Sequence, residues 1–357
     1  MQAYRLFAWK QPARLVDIPV PEPGPGEVLI RVAGNGICQS DLHLMHDWDA
    51  APPHLDLQLP MTIGHEIGGW IEASGSGVKG FERDRACVVT IAGCGRCRFC
   101  AQGWNNYCEQ LPPQPGMGRD GGLAEYVIAP AAGTVLLETL EPWLAAPLTD
   151  AGLSAYHAVR RVLPRLVPGS RTVVIGIGGL GHMAVMILKA ITATEVIAID
   201  TEPQALELAR ELGADYCLAA DEQTTATAFE STGGKRVEAV LDFVGAGATI
   251  ALGAGLIAPL GEIVVVGRGR GSFAFQDRCL PYGAAISTTF GGSKAELIDL
   301  IALAETGRIR PHLTRIPLSR VEEAFTRLAS GKLKGRAVIS PDQVLNSSET
   351  AVENPSC

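Results

Sequence analysis

The feature that most constrains the fold is a glycine-rich turn between an apolar strand and an apolar helix. Residues 173–175 are three consecutive β-branched side chains, a pattern typical of a strand buried in a parallel sheet. Four glycines occur in the turn that follows: Gly176, Gly178, Gly179 and Gly181. The apolar run 183–191 then predicts a helix. Because glycine lets a ligand approach the backbone closely and a helix N-terminus favours anions, the turn predicts a pyrophosphate site.

A second predicted strand, 195–199, leads directly into the carboxylate of Asp200, 24 residues after Gly176. In strand–helix–strand nucleotide sites, an acidic side chain at this point accepts hydrogen bonds from the adenosine ribose hydroxyls. Its charge would repel a 2′-phosphate, so we expect NAD rather than NADP as the cofactor. The alternative, a plain glycine turn with a solvated aspartate, leaves the matching strand–helix–strand context unexplained.

The overall composition limits the class of protein. A chain of 357 residues with 47% apolar and 19% charged residues is long enough for two domains. The net charge of −8 and the lack of a basic cluster argue against nucleic acid or an anionic membrane as partner. No apolar run reaches membrane-spanning length and residues 1–5 do not resemble a signal peptide. We therefore expect a cytoplasmic protein.

The secondary-structure pattern changes near residue 150. Residues 1–149 are predicted to be rich in short strands, whereas strands and helices alternate from 150 to 290, which predicts a doubly wound α/β sheet. The six strands predicted there are 173–175, 195–199, 216–218, 239–243, 262–266 and 284–288. Residues 291–340 are predicted to return to the first domain through strands 309–318 and 335–340. The polar tail 341–357 is predicted to be disordered.

Four cysteines lie in one 15-residue stretch of the nine-cysteine chain: Cys94, Cys97, Cys100 and Cys108. Four thiolates at this spacing on a glycine-containing loop fit a closed tetrahedral Zn²⁺ site. Such a site has no free coordination position, so its role would be structural. Free or disulfide-bonded cysteines and an iron–sulfur cluster are the alternatives.

Cys38, His65 and Asp150 are potential ligands of a second metal, although they lie far apart in the sequence. Each alone has an ordinary structural interpretation: a buried apolar side chain, a hydrogen-bonded imidazole and a helix cap. Together they offer sulfur, nitrogen and oxygen, which suits a zinc ion with one open position. Zinc in that setting acts as a Lewis acid on an alcohol or carbonyl oxygen.

These motifs, taken in order, resemble the zinc-dependent medium-chain alcohol dehydrogenases of bacterial type over about residues 1–340. The motifs are Gly36-Ile-Cys38-Gln-Ser40-Asp41-Leu-His43, Gly64-His65-Glu66-Ile-Gly68, the four-cysteine stretch, Asp150-Ala-Gly-Leu-Ser-Ala-Tyr156, and the glycine turn with Asp200. The resemblance implies a β-rich GroES-like catalytic domain (1–149 and 291–340) and a Rossmann domain (150–290) that binds NAD. It also implies two Zn²⁺ per chain and a homo-oligomer, with a tetramer favoured.

The resemblance also implies site roles. Cys38, His65 and Asp150 would bind catalytic zinc, with Glu66 as a transient ligand and Asp41 orienting His65. The proton relay would run from the substrate through Ser40 and the nicotinamide ribose to His43. The four clustered cysteines would bind structural zinc. The implied cofactor contacts are Gly176, Gly178, Gly179, Leu180 and Gly181 at the pyrophosphate, Asp200 at the adenosine ribose, Val266 and Gly267 at the nicotinamide, and Arg336 at a phosphate.

Three positions depart from the family pattern. Asp150 stands where much of the family has a zinc-binding cysteine, and members with Asp there often act on secondary alcohols and ketones. Gln39 replaces an Arg or His that commonly faces the pyrophosphate. The run 82–85, Glu-Arg-Asp-Arg, replaces a Gly-Asp pair that commonly closes a turn.

The substrate pocket is predicted to be mostly apolar, with Ser40 beside the metal and an aromatic wall of Trp48, Trp104 and Phe290. His46 and His54 are expected nearby. The leading function is an NAD-dependent alcohol dehydrogenase. The alternatives are a polyol or hydroxy-acid dehydrogenase of the same fold, and a zinc-free nucleotide-binding regulatory protein.

Overall fold

The part of the chain that the computed structural model describes, residues 1–51, 57–221 and 223–347, forms eighteen strands and eleven α-helices. The strands are β1 (Gln2–Leu6), β2 (Arg14–Asp17), β3 (Glu27–Gly36), β4 (Met61–Thr62), β5 (Glu66–Ser74), β6 (Ala86–Val89), β7 (Gln114–Pro115), β8 (Gly118–Arg119), β9 (Tyr126–Pro130), β10 (Thr134–Leu136), β11 (Arg171–Ile175), β12 (Glu195–Asp200), β13 (Tyr216–Ala219), β14 (Val237–Asp242), β15 (Ile257–Val265), β16 (Ala285–Thr288), β17 (Leu313–Pro317) and β18 (Arg336–Ser340). The helices are α1 (Gln39–His46), α2 (Arg98–Ala101), α3 (Pro142–Ala145), α4 (Ala151–Val162), α5 (Gly181–Ile191), α6 (Pro203–Glu211), α7 (Thr224–Ser231), α8 (Gly247–Leu256), α9 (Lys294–Glu305), α10 (Val321–Ala329) and α11 (Asp342–Ser347).

Six parallel strands form the sheet of the second half of the chain. Their order is β13-β12-β11-β14-β15-β16, which is the 3-2-1-4-5-6 order of a doubly wound dinucleotide-binding sheet. Val173 and Val174 on the central strand are fully buried, as expected for a strand covered on both faces. The predicted six-stranded parallel sheet is therefore confirmed.

The first half of the chain is built around a mixed sheet of seven strands. Its path is β10-β6-β5-β3-β18-β17, and β9 also pairs with β3. Strand β18 joins antiparallel to β3 through Ile339 and Asn35, and β17 pairs with β18, so the last two strands belong to the mixed sheet. This pairing is what carries Arg336 next to the strands of the first half.

One apolar core extends from the six-stranded sheet through α4 and α5 to α9. Leu153 of α4, Leu188 of α5 and Leu300 of α9 are all buried in it. Helix α9 therefore packs on α4, the helix that begins the predicted cofactor domain, although it follows residue 291. The domain boundary at that residue stays a prediction.

The tail predicted to be disordered from residue 341 begins instead with a short helix, α11. Asp342 lies in its first turn, where a carboxylate favours the helix dipole, and accepts a hydrogen bond of 3.1 Å from the hydroxyl of Ser319. The prediction was wrong for this part of the tail because a polar composition does not exclude a short helix with a side-chain contact to the rest of the chain. Residues 348–357 lie outside the described part of the chain.

Within the described ranges, every helix is too short or too polar to cross a bilayer.

The unusual run 82–85 has a local explanation at the turn between β5 and β6. Asp84 adopts φ 64°, in the left-handed region that favours glycine, while its N–H donates to the carbonyl oxygen of Ile71 at 2.8 Å. Aspartate is one of the few other residues that tolerate this region. Its exposed carboxylate lies 3.5 Å from the guanidinium of Arg31. Asp84 thus occupies a position that a glycine would fit without strain.

We predict that Asp84→Gly raises the free energy of unfolding by up to about 1 kcal/mol, whereas Asp84→Val lowers it by about 1–2 kcal/mol. Both variants lose the contact with Arg31, so that contact does not contribute to the difference between them. Urea unfolding curves of the three proteins measure it. Equal stability of the glycine and valine variants would contradict the explanation.

Candidate metal and cofactor site

Four metal-ligating side chains from three parts of the chain meet at one point. Cys38 precedes α1, His65 and Glu66 lie at the start of β5, and Asp150 precedes α4. One ligand atom of each lies within 4.8 Å of the others. Sγ of Cys38 and Nε2 of His65 are 3.4 and 3.5 Å from Oδ2 of Asp150. The structure brings together all four residues predicted around the catalytic metal.

Asp41, a fully buried residue in the first turn of α1, fixes two of these ligands. Its Oδ2 accepts a hydrogen bond of 2.9 Å from the backbone N–H of Cys38, which closes the capping box of the helix. Its Oδ1 lies 3.2 Å from Nδ1 of His65, leaving Nε2 directed at Asp150. This placement fits the predicted role of Asp41 in orienting the imidazole.

The charges in the cluster favour a cation at its centre. Burial opposes the charge on Asp150, but the hydrogen bond and charge of His65, with Arg336 nearby, outweigh it and lower the pKa of Asp150. Burial likewise opposes the imidazolium of His65, but the carboxylates of Asp41 and Asp150 raise its pKa well above the usual value. A metal ion would take the place of the proton that these groups hold between them.

Glu66 forms a buried ion pair with Arg336 of β18. Nε of Arg336 is 3.1 Å from Oε2 of Glu66, Nη2 contacts Oε1, and the side chains are 4% and 0% exposed. Burial raises the pKa of Glu66 to about 7, although Arg336 acts against it. With Glu66 engaged in this way, the donors left for a metal are the thiol, the imidazole and the carboxylate of Asp150. That set fits zinc with one open position.

Arg336 lies between the metal cluster and the glycine turn. Its Nη2 is 3.8 Å from Oδ2 of Asp150, and a Cβ added to Gly179 would lie 2.5 Å from Nη1. The glycine at this position therefore makes room for the guanidinium. The position supports the predicted contact of Arg336 with a cofactor phosphate, which remains a prediction.

The four clustered cysteines also converge on one point, with their sulfur atoms within 4.8 Å of one another. Backbone N–H groups of the loop point at the sulfurs: Cys94 N–H to Cys108 at 3.2 Å, Cys97 N–H to Cys94 at 3.4 Å, and Cys100 N–H to Cys97 at 3.5 Å. The backbone hydrogen bond from Cys100, with others, lowers the pKa of Cys97 to about 6. Donors aimed at sulfur suit thiolates that bind a metal, and the described cysteines form no disulfide.

The predicted relay residues lie on α1. Oγ of Ser40 is 3.5 Å from Sγ of Cys38, at the metal cluster. His43 is three residues further along the helix, so both side chains lie on one side of α1. The His43 side chain is 43% exposed, as expected for a group that returns protons to water. Gln39, which departs from the family pattern, is exposed.

The glycine turn and Asp200 lie at the carboxyl ends of β11 and β12, where ligands bind in doubly wound sheets. Gly176 has φ 84°, and a Cβ at Gly181 would overlap the carbonyl oxygen of Gly176, so both positions require glycine. Oδ2 of Asp200 accepts a hydrogen bond of 2.6 Å from Ile177 N–H. Val266 and Gly267 follow β15 at the same edge, with Val266 N–H donating to the backbone carbonyl oxygen of Asp242 at 2.8 Å.

The aromatic residues predicted for the substrate wall contact different neighbours. Trp48 packs against Trp9 with ring centroids 6.4 Å apart, and the edge-on contact of Trp104 is with His157 at 6.0 Å. Phe290 is 39% exposed and its ring faces the guanidinium of Arg268. His46 is exposed, and His54 lies outside the described residues. The substrate wall therefore stays a prediction.

Two groups of functional interest did not emerge from the sequence. Asp47 lies 2.6 Å from His43, and the i, i+4 spacing on α1 could have indicated it. The buried imidazole of His157 contacts the hydroxyl of Tyr107 through Nε2 at 2.7 Å and the carboxylate of Glu296 through Nδ1 at 2.9 Å. These three residues span 190 positions, and no sequence pattern indicated that they meet. They connect the four-cysteine loop to α4 and α9.

The chain combines a doubly wound dinucleotide-binding fold with a metal-ligand set of sulfur, nitrogen and oxygen beside the glycine turn. This combination is that of a zinc-binding dehydrogenase. Comparison with known proteins agrees with this class. The family model "Alcohol dehydrogenase GroES-like domain" matches residues 24–139, and "Zinc-binding dehydrogenase" matches residues 179–306.

Full-length relatives refine the assignment. The chain is 34% identical to an NAD-dependent alcohol dehydrogenase of Sulfolobus acidocaldarius over 95% of this chain and 99% of the relative. It is 33% identical to a D-arabinose 1-dehydrogenase (NADP(+)) of Saccharolobus solfataricus over 95% and 97%. The crystal structure of the alcohol dehydrogenase from Aeropyrum pernix superposes with a TM-score of 0.88 at 34% identity, covering 96% of this chain and all of that one. The chain belongs to the zinc-dependent medium-chain alcohol dehydrogenase family.

We predict that Arg336→Met lowers the free energy of unfolding by about 3 kcal/mol, because it leaves the carboxylate of Glu66 buried without its partner. The double variant Glu66→Met/Arg336→Met should be closer to the wild type than the single variant, since it removes both charges. Thermal and urea unfolding of the two variants test this. A single variant within about 0.5 kcal/mol of the wild type would show that the ion pair is energetically unimportant.

Proposed function

We propose that the chain catalyses the reversible, NAD-dependent oxidation of an alcohol at a zinc site, with secondary alcohols and ketones favoured over primary alcohols. The observation that carries the proposal is the convergence of Cys38, His65 and Asp150 within 4.8 Å. These residues come from separate parts of the chain, and their combined donor set matches a catalytic rather than a closed structural zinc site.

The chain's own residues would bind the cofactors and move the proton. When bound, zinc supplies Lewis-acid polarisation of the substrate oxygen, and NAD supplies the hydride acceptor. Cys38, His65 and Asp150 would hold the metal while Asp41 keeps Nε2 of His65 directed at it. Ser40 would accept the substrate's hydroxyl proton, and His43 would return it to water.

NAD rather than NADP is proposed from the carboxylate of Asp200. Its oxygens accept hydrogen bonds from Ile177 N–H at 2.6 Å and Glu202 N–H at 2.9 Å, which hold a negative charge at the end of β12. This charge would repel the 2′-phosphate of NADP at that position. Gly176, Gly178, Gly179, Leu180 and Gly181 would bind the pyrophosphate.

The preference for secondary alcohols and ketones is proposed from Asp150. A carboxylate is a harder donor than thiolate and leaves the metal more electrophilic. Oxidation of a polyol or sugar is the second candidate, favoured by the similarity to a D-arabinose 1-dehydrogenase. A zinc-free regulatory role is disfavoured because the donor residues and Ser40 are assembled in one site.

We also propose a homo-oligomer, with a tetramer favoured, in the cytoplasm, without nucleic acid or membrane partners. Three large apolar side chains near the edge strand β16 are exposed: Leu260, Phe275 and Tyr282, at 73%, 81% and 80%. Exposed apolar surface of this kind is typical of a contact between subunits. Light scattering of the purified protein tests this assembly.

The direct test of the proposed function is a panel of primary, secondary, aromatic and polyol substrates, with NADH formation followed by absorbance. We expect turnover with secondary alcohols, and a loss of about 10²- to 10⁴-fold in kcat for Ser40→Ala with zinc content retained. Equal loss of zinc and activity in Ser40→Ala would show that the residue holds the metal site together instead. No turnover with any alcohol by the zinc-loaded wild type would contradict the function.

We predict that Asp200→Gly lowers kcat/KM for NAD and raises it for NADP, because the variant removes the charge that repels a 2′-phosphate. The expected change in the NAD-to-NADP ratio is about tenfold or more. The control is Glu202→Ala, which removes the neighbouring carboxylate and should leave the ratio unchanged. An unaltered ratio in Asp200→Gly would refute the role of Asp200.

We predict that Cys97→Ser removes about one zinc per chain and lowers the melting temperature by about 5 °C or more, because four ligands hold the loop. Elemental analysis and calorimetry measure both changes, with Cys279→Ser as the matched control outside the loop. Iron in place of zinc in the wild type would support the cluster alternative. An unchanged melting temperature would contradict a structural metal site.

A further inference from the structure

We propose that Asp47 is a positioning residue for His43, holding its ring in the tautomer and orientation that the last step of proton release needs. The inference rests on the proposed function, because that function makes His43 the proton acceptor. No motif of the chain singles out Asp47. The geometry at the end of α1 carries the argument.

Asp47 directly follows the last residue of α1, and its N–H donates to the carbonyl oxygen of His43 at 3.0 Å. The two side chains therefore lie on the same side of the helix, one turn apart. Oδ2 of Asp47 is 2.6 Å from Nδ1 of His43. The side chains are 39% and 43% exposed, so water can reach the pair.

The chemistry of this contact determines which ring nitrogen is free. A charged carboxylate accepts hydrogen bonds and donates none, so Nδ1 of His43 must carry the proton in the contact. In the neutral ring, Nε2 is then the nitrogen with a free electron pair. A proton arriving from the substrate side can bind there without a change of tautomer. In the imidazolium that results, Asp47 still accepts from Nδ1, and the proton on Nε2 can pass to water.

The carboxylate of Asp47 lies at an unfavourable place on the helix. The C-terminus of α1 is the negative end of its dipole, where a cation and not an anion is normally stabilising. Three groups face Asp47 and offset this: His43 and His46 on its own helix, and Arg270, whose Nη2 is 3.8 Å from the same Oδ2. The hydrogen bond from His43, with the charges of the three, lowers the pKa of Asp47, so it stays an acceptor at neutral pH.

Arg270 connects this pair to the cofactor domain. It lies in the loop after β15, three residues beyond Gly267, which is predicted to lie at the nicotinamide. Asp47 therefore contacts both the predicted end of the relay and the loop beside the predicted cofactor ring. A purely structural helix cap would need neither contact.

The test combines a spectroscopic measurement with kinetics on the full-length, zinc-loaded enzyme. In ¹⁵N-histidine-labelled protein at pH 8, with His43 assigned from a His43→Gln variant, long-range ¹H–¹⁵N spectra report the tautomer. We expect the Nδ1–H form in the wild type and in the control Asp49→Ala, which removes the neighbouring carboxylate that pairs with Lys10. We expect the Nε2–H form to predominate in Asp47→Ala.

For alcohol oxidation, Asp47→Ala should lower kcat about tenfold, a fraction of what a full acid–base residue contributes, with zinc content and KM for NAD unchanged. In the His43→Ala background the same substitution should have no further effect, since the two residues act through one interaction. Asp47→Asn keeps an acceptor for Nδ1–H and should recover part of the loss.

Two results would overturn the proposal while leaving His43 as the acceptor: an Nδ1–H tautomer that persists in Asp47→Ala, or an equal loss of kcat with and without His43. A His43→Ala variant with full kcat would instead contradict the relay, and the proposal would fall with it. The spectra need no turnover, so they separate the two kinds of failure.

Discussion

The site depends on the balance of charge in a buried cluster. Four acidic side chains lie in a small volume: Cys38, Asp41, Glu66 and Asp150. The first three are almost fully buried. Arg336 and His65 are the cationic groups that offset them, Arg336 through Glu66 and His65 through Asp41 and Asp150. A divalent ion among the thiol, the imidazole and the carboxylate of Asp150 would complete this compensation. The proposed chemistry follows from the same charge balance.

The topology explains how distant residues reach this cluster. Strands β5, β3 and β18 are neighbours in the mixed sheet, and they carry Glu66, Cys38 just after β3, and Arg336 to the same place. Asp150 directly precedes helix α4, which packs on α5, the helix that follows the glycine turn. The metal cluster and the predicted pyrophosphate site are therefore held by two helices that pack on each other, α4 and α5. Arg336 lies between the two sites.

The sequence predicts the cofactor domain well because its signals are local. The strand 173–175, the glycine turn and Asp200 occur in one short stretch, and hydrophobic period and glycine position suffice to place them. The four cysteines are equally local. Cys38, His65 and Asp150 are separated by up to 112 positions, so each alone had an ordinary interpretation, and their donor chemistry suggested a shared metal without showing that they meet.

Other features depend on the packed structure and have no comparable signal. The pairing of Glu66 with Arg336 joins positions 270 apart, and the sequence offered only separate roles for the two residues. The tail beyond residue 341 begins with a helix despite its polar composition, and Asp342 in its first turn accepts a hydrogen bond from Ser319. The prediction of an aromatic substrate wall rests on residue type alone, and residue type does not determine where a ring packs.

The most direct test of the central claim is anomalous diffraction at the zinc edge from crystals of the zinc-loaded protein. The account predicts a peak bonded to Sγ of Cys38, Nε2 of His65 and a carboxylate oxygen of Asp150, with the fourth position open towards the predicted nicotinamide site at Val266 and Gly267. A peak only at the four-cysteine loop would contradict it. So would a fourth protein side chain that closes the open position and cannot be displaced.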